Sequence, residues 1–284
     1  MKQIIRFVRF ILDFSQKLTD ANVPSFAASA AFFILVSFFP FTMFFVTMIQ
    51  FLPFTESDVL YLVSQVIPAT MIGSAIEIIG EIFDETSGTF ISVTLIALLW
   101  AAAKGFYAII LGLNSVYGLR ETRNYFHRML ISIGYTISFA VMLLLTMGLL
   151  LFGNQILKLC IRYFPHLLDF SVGIVIFRIL FILFVLMVFF LLLFLVVPNR
   201  RSKIRDEFPG ALFSAICWLG FSALYSFYID NFSNYTRTYG SLTAIVLFML
   251  WLYMCMYLMF IGAQINLGLK NYRETGHFFE PKTK

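Results

Sequence analysis

Charge is scarce in this chain: Asp, Glu, Lys and Arg together make up 12% of its 284 residues, against about 25% in an ordinary soluble domain. So small a polar complement cannot wet the surface of a globule this size. With 61% hydrophobic residues, the solvent that fits is lipid rather than water. Histidine and cysteine are as sparse, three of each. His127, His166 and His277 fall on separate segments, and no His-x-His-x-Asp-His run exists to gather a metal for hydrolysis. Cys160, Cys217 and Cys255 are an odd number without metal-ligand spacing, so neither a zinc site nor a disulfide framework is expected. No glycine-rich loop ends in Lys and Ser or Thr to cradle phosphates, and no Gly-x-Ser-x-Gly elbow occurs. These absences argue against hydrolase and nuclease chemistry; the expectation is a non-enzyme without cofactor or metal. The first 18 residues are too charged for the apolar core of a signal peptide, and no small-residue cleavage site follows, so no cleaved leader is expected.

What the chain does have is apolar length, including 36 phenylalanines. A membrane span needs about 20 mostly apolar residues, and six stretches qualify: 25–52, 90–112, 129–152, 174–197, 209–229 and 241–268. The runs are continuous rather than alternating, which excludes a β-barrel. The expected fold is an all-α membrane protein, a six-helix transmembrane bundle over 21–270. The net charge of +5 would suggest nucleic acid in a soluble protein, but here the cations sit in short gaps between spans. Lys2, Arg6, Arg9 and Lys17 precede the first span; Arg120, Arg123 and Arg128 follow the second; Arg200, Arg201, Lys203 and Arg205 follow the fourth; Lys270, Arg273, Lys282 and Lys284 follow the sixth. That puts fifteen on one side, against Lys158, Arg162 and Arg237 on the other. Positive charge is retained inside, so both termini are expected in the cytoplasm and the protein in the cell (inner) membrane. No nucleic-acid partner is expected.

Residues 1–20 read as an amphipathic helix on the cytoplasmic leaflet. Lys2, Arg6, Arg9, Asp13 and Lys17 take one face, and Ile4, Ile5, Val8, Ile11 and Leu12 the other. The plain alternative is a cap packed on the bundle. The first outer gap, 53–88, is acidic: Glu77, Glu81, Asp84 and Glu85 form one stripe and Ile72, Ile76, Ile79 and Phe83 another. It reads as one or two short helices, either a cation-gathering lid or a solvated cap. The tail, 271–284, is short and polar and is expected to be a disordered cytoplasmic end.

Several motifs recur in order. The first span carries Ala27-Ala28-Ser29-Ala30-Ala31-Phe32-Phe33 and then Ser37-Phe38-Phe39-Pro40. The second has Trp100-Ala101-Ala102-Ala103-Lys104-Gly105, followed by Leu113-Asn114 and Tyr117-Gly118. The loop after the fourth has Pro198-Asn199-Arg200, Arg205-Asp206 and Pro209-Gly210-Ala211. The sixth opens Tyr239-Gly240-Ser241-Leu242 and continues to Trp251-Leu252-Tyr253 and Gly262-Ala263-Gln264-Ile265-Asn266. Together they resemble the YihY/BrkB family of bacterial inner-membrane proteins, once mislabelled ribonuclease BN, over about residues 20–270. The sequence departs from the family pattern at Gln264, where a glutamate is frequent, and at Ala103, where a serine is. The resemblance implies a transporter or lipid-handling protein, some relatives being tied to envelope integrity; it implies no settled substrate.

The candidate substrate path is Ser37, Pro40, Lys104, Asn114, Gln264 and Asn266. Pro40 falls mid-span and removes a backbone hydrogen bond, which makes either a broken-helix site with Ser37 supplying a partner or a packing kink. Lys104 lies about 12 Å inside its span, at about 1.5 Å per residue; it faces a cavity or snorkels to the headgroups. Gln264 and Asn266 either line a path or join helices. Asn199, Arg200, Arg201, Lys203 and Arg205 are candidate headgroup ligands, the alternative being topology and helix capping, with Pro209 starting the fifth span. The leading expectation is a transporter of an amphiphilic or anionic, lipid-like substrate. The alternatives are a non-transporting scaffold for the envelope, or an ion channel. Membrane lipids and a small anionic or lipid substrate are the expected partners; self-association is left open.

Overall fold

Long apolar runs in hydrocarbon must satisfy every backbone N–H and C=O internally, and a helix does so within one segment. The computed structural model of the chain describes residues 2–49, 80, 88–138, 141–142, 171–232, 242–276 and 278–279. Among the described residues there is helix and short connection but no strand. In chain order the helices are α1 (Lys2–Asp20), α2 (Val23–Ile49), α3 (Gly88–Val116), α4 (125–138), α5 (Ser171–Val196), α6 (Ile204–Phe232) and α7 (Leu242–Thr275). Five of them, α2, α3, α5, α6 and α7, are long and apolar enough to cross a membrane. They answer to the first, second, fourth, fifth and sixth expected spans. The third, 129–152, is described only to 138 and at 141–142. The acidic stripes of the 53–88 gap lie outside the described residues, and so do His166 and Arg237.

Two compact units make up the chain: Phe32–Gly105, and Met1–Ala31 together with Phe106–Lys284. In the smaller unit α2 and α3 touch where Gly105 has no side chain, since a Cβ there would sit 3.3 Å from Ile34 Cγ1. Pro40 does not break α2, which runs on to Ile49. The Ser37 hydroxyl donates to the Ile34 carbonyl at 2.7 Å, not to Val36, whose carbonyl loses its helical donor to Pro40. Of the two readings of Pro40, a broken helix or a packing kink, the continuous helix leaves the second. Lys104 is half-buried, with its Nζ 5.8 Å from the centre of the Trp100 ring.

In the larger unit α1 turns into α2 at Asn22, whose φ of 54° is left-handed, a conformation that Asn tolerates better than most residues. Phe190, Phe194, Met259 and Phe260 are fully buried at the middle of this unit. α6 and α7 pack most closely. A Cβ on Gly210 would strike the Gly262 carbonyl and the Asn266 side chain, and one on Gly262 would strike Ser214 Oγ. Higher along the seam Trp218 stacks edge-on against Trp251 at 5.8 Å, and the Trp251 indole donates to Ser222 Oγ at 3.1 Å.

Two boundaries differ from expectation. α6 begins at Ile204, with Asp206 and Glu207 in its first turn and Pro209 inside it. The two acids favour an earlier start because carboxylates are stabilised at a helix N-terminus. At the other end, the part of the 271–284 stretch that is described, up to 276 and at 278–279, is ordered. α7 continues to Thr275 and closes at Gly276, whose φ is 74° and whose N–H donates to the Tyr272 carbonyl at 3.0 Å. Phe278 and Phe279 then lie 5.2 Å and 5.4 Å from the Phe10 ring of α1. Apolar rings on the short segment after α7 outweigh its polar composition.

Candidate functional site

Polar groups buried at the apolar centre of a bundle need partners within it, and Asn114, Tyr117, Glu207 and Asn266 find theirs at one end of the larger unit. Asn114 and Tyr117 are three residues apart near the end of α3, so they share a face. The chain leaves α3 through Gly118, at φ 65°, with the Leu119 N–H donating to the Asn114 carbonyl at 2.7 Å. Such a left-handed exit suits glycine. Pro198, Asn199 and Arg200 follow the end of α5, Glu207 lies in the first turn of α6, and Asn266 is near the end of α7.

Glu207, wholly buried, is the hub. Its Oε1 accepts from Arg200 Nη2 at 2.6 Å. Its Oε2 accepts from the Tyr117 hydroxyl and from Asn266 Nδ2, both at 3.0 Å. Asn266 Nδ2 also reaches the Glu207 carbonyl at 3.1 Å, and its Oδ1 accepts from the Gly210 N–H at 2.6 Å. That last bond ties the α6 backbone directly to α7. The Arg200 guanidinium lies 3.6 Å from the centre of the Tyr117 ring, so it meets a carboxylate on one side and an aromatic face on the other. Burial first, and then the neighbouring Glu207 charge, push the Tyr117 phenol above its ordinary range. It keeps its proton and donates it.

A second layer of bonds ties the loops to this hub. Asn114 Oδ1 accepts from the Asn199 N–H at 2.9 Å, while Asn114 Nδ2 donates to Glu121 Oε2 at 2.6 Å. Asn199 Nδ2 donates to the Arg120 carbonyl and to Thr122 Oγ1. Arg123 donates to the carbonyls of Val197 and Pro198 at 2.9 Å and 2.8 Å, which neutralises the open end of α5. Outside the hub, Arg273 pairs with Asp206 at 2.7 Å and Ser115 Oγ donates to the Ala21 carbonyl at 2.8 Å.

The structure thus gathers Asn114, Asn199, Arg200 and Asn266 into one network. Gln264 is buried two residues before Asn266 on α7 but makes none of these bonds. Arg201, Lys203 and Arg205 are exposed, so the expected headgroup set divides: Asn199 and Arg200 are spent on the protein, and the other three face outward. Ser37, Pro40 and Lys104 belong to the other unit. Sequence reading missed Glu207, Glu121 and the structural role of Arg123. The one local signal for Glu207 was a second acid next to Asp206 in the first turn; its partners at 117, 200 and 266 follow no periodicity.

The sequence matches the family described as "Virulence factor BrkB" over residues 14–283. A ribonuclease-like protein, YfkH of Bacillus subtilis (strain 168), is 33% identical over 258 residues, covering 90% of this chain and 94% of the relative. A UPF0761 membrane protein of Aggregatibacter aphrophilus (strain NJ8700) is 28% identical over 207 residues, 70% of each chain. Another, from Idiomarina loihiensis, is 35% identical over 86 residues, 30% of each. No solved structure matches. With the family matched along nearly the whole length and five helices fit to span a bilayer, this chain belongs to the BrkB family of membrane proteins.

Proposed function

We propose that this protein crosses the cell (inner) membrane six times with both termini in the cytoplasm, and that it moves an amphiphilic, anionic, lipid-like substrate without performing a covalent reaction. One observation carries the reading. The four basic segments that charge counting assigns to a single face are held together at one end of the larger unit. The α1–α2 corner bonds to α3, the loop after α3 to the loop after α5, the first turn of α6 to the end of α7, and the residues after α7 to α1. Exposed Arg120, Arg201, Lys203 and Arg205 line that end and suit anionic headgroups. α1 adds an uncovered apolar stripe, Ile5, Val8, Ile11 and Leu12, which supports its lying in the interface plane.

Purified protein in proteoliposomes, assayed for movement of labelled anionic and zwitterionic lipids and of small anions, tests the reading. Movement above protein-free vesicles, weakened by the R201Q/K203Q/R205Q variant, is expected. No movement of any probe by demonstrably folded protein overturns it. The closed α6–α7 seam favours a second reading, a non-transporting envelope scaffold, and that negative result is the one it requires.

A further inference from the structure

Away from the Glu207 hub, α4 and α5 leave a groove. Its volume is about 280 Å³, near the roughly 300 Å³ at which ligand pockets begin. Ile131, Gly134, Tyr135 and Ser138 form one wall and Phe189, Leu192 and Val196 the other. The hydroxyls on its wall are turned to backbone: Tyr135 donates to the Leu192 carbonyl at 2.6 Å and Ser138 to the Gly134 carbonyl at 2.9 Å. What remains for an occupant is hydrocarbon surface, open along one side.

One turn before Ile131, on the flank that carries Tyr135, stands Arg128. It is half-buried and lies 5.1 Å from the centre of the Tyr107 ring, with Nη1 donating to the Tyr107 hydroxyl at 3.1 Å. Among the described residues no carboxylate pairs with it, and its Nε–H is buried without an acceptor. A half-buried guanidinium with no carboxylate against it among the described residues is an expensive arrangement unless something anionic completes it. Arg123 adds a second positive charge just beyond Val196, at the same end. Tyr125 and Phe126, exposed in the first turn of α4, mark that end as the level of the headgroups.

We propose that the α4–α5 groove is a binding site for an anionic phospholipid, with one acyl chain along Ile131, Gly134 and Leu192 and the phosphate on Arg128. The site deepens the lipid-handling reading and rests on it for its role. An apolar groove alone would take any hydrocarbon; the unpaired guanidinium at its polar end selects charge.

Native mass spectrometry of the full chain, released from micelles doped equally with phosphatidylglycerol and phosphatidylcholine, reads the site directly. Wild type is expected to retain one phosphatidylglycerol per chain in preference. Arg128→Gln should lower that preference about tenfold, the scale of one lost charge-assisted contact, and Arg128→Lys should restore most of it. Gly134→Leu supplies the independent arm. A Cβ there meets nothing within 4 Å, so the side chain starts into open space and fills the groove, and in protein whose unfolding midpoint matches wild type retention should drop about tenfold whatever the headgroup. Equal retention of the two lipids by wild type, meaning annular lipid only, overturns the site; so does undiminished retention by Gly134→Leu. Measured beside the vesicle assay, the outcomes separate: transport without retention removes the site alone, and retention without transport removes the transport reading alone.

Discussion

The α6–α7 seam and the α4–α5 flank belong to the same unit, yet they treat space and charge in opposite ways. At the seam, glycines bring two backbones together until no side chain fits between them, and the buried charge of Glu207 is matched by a cation, a phenol and an amide. On the flank, a glycine opens onto vacant space and a half-buried arginine has no counter-charge among the described residues. A buried charge matched by its counter-charge, together with closed packing, is the signature of a fastener. A guanidinium with no carboxylate against it among the described residues, beside an open apolar wall, is the signature of a place for something else. The contrast assigns the fastener to the end of the bundle and the binding function to its side.

Substitutions can break this contrast at several strengths. Glu207→Leu strands Arg200 as an unpaired buried charge, so it should cost about 3–5 kcal/mol, read as the unfolding midpoint in detergent. Adding Arg200→Leu should recover part of that loss, because pair partners couple; a double variant as unstable as the sum of the two singles would deny the pairing. Gly210→Ala places a methyl on the Gly262 carbonyl and should cost about 1–3 kcal/mol by overpacking. Gly134→Ala is the opposite case. Its Cβ meets open space, and helix propensity alone should raise stability by up to about 1 kcal/mol. A loss at Gly134 comparable to that at Gly210 would erase the distinction between the two regions. Smallest of all, replacing exposed Arg201, Lys203 and Arg205 by Gln should stay within about 0.5 kcal/mol in stability, while weakening the movement of anionic lipid in the proteoliposome assay.

The seam was only half legible in the sequence. Hydropathy located the helices because hydrocarbon selects long apolar runs whatever their partners, and charge counting grouped the loops because Lys and Arg are retained on one side. Asn266 and Asn114 stood out as amides in apolar surroundings, and the motif glycines at 210 and 262 were visible. Glu207 was not, since its partners come from three other parts of the chain and nothing periodic links 117, 200, 207 and 266. Arg200 read as a headgroup ligand or as topology and helix capping, because a cation in a basic loop looks alike whether it faces lipid or a buried acid. Pro40 read as either a break or a packing kink because a single proline removes one bond; the neighbouring turns of α2 carry the helix through. Arg128 was counted only as topology, since its lack of a carboxylate partner among the described residues is a property of packing and not of composition.

The whole account requires that the loops after α3 and α5 and the end of α7 lie at one membrane face. In a variant with Cys160, Cys217 and Cys255 replaced, single cysteines at exposed Thr122, Arg201 and Tyr272 can be labelled with a membrane-impermeant maleimide in inverted and in right-side-out vesicles. The account predicts that all three label in inverted vesicles and none in right-side-out ones. Labelling of any one of the three from the opposite face contradicts it.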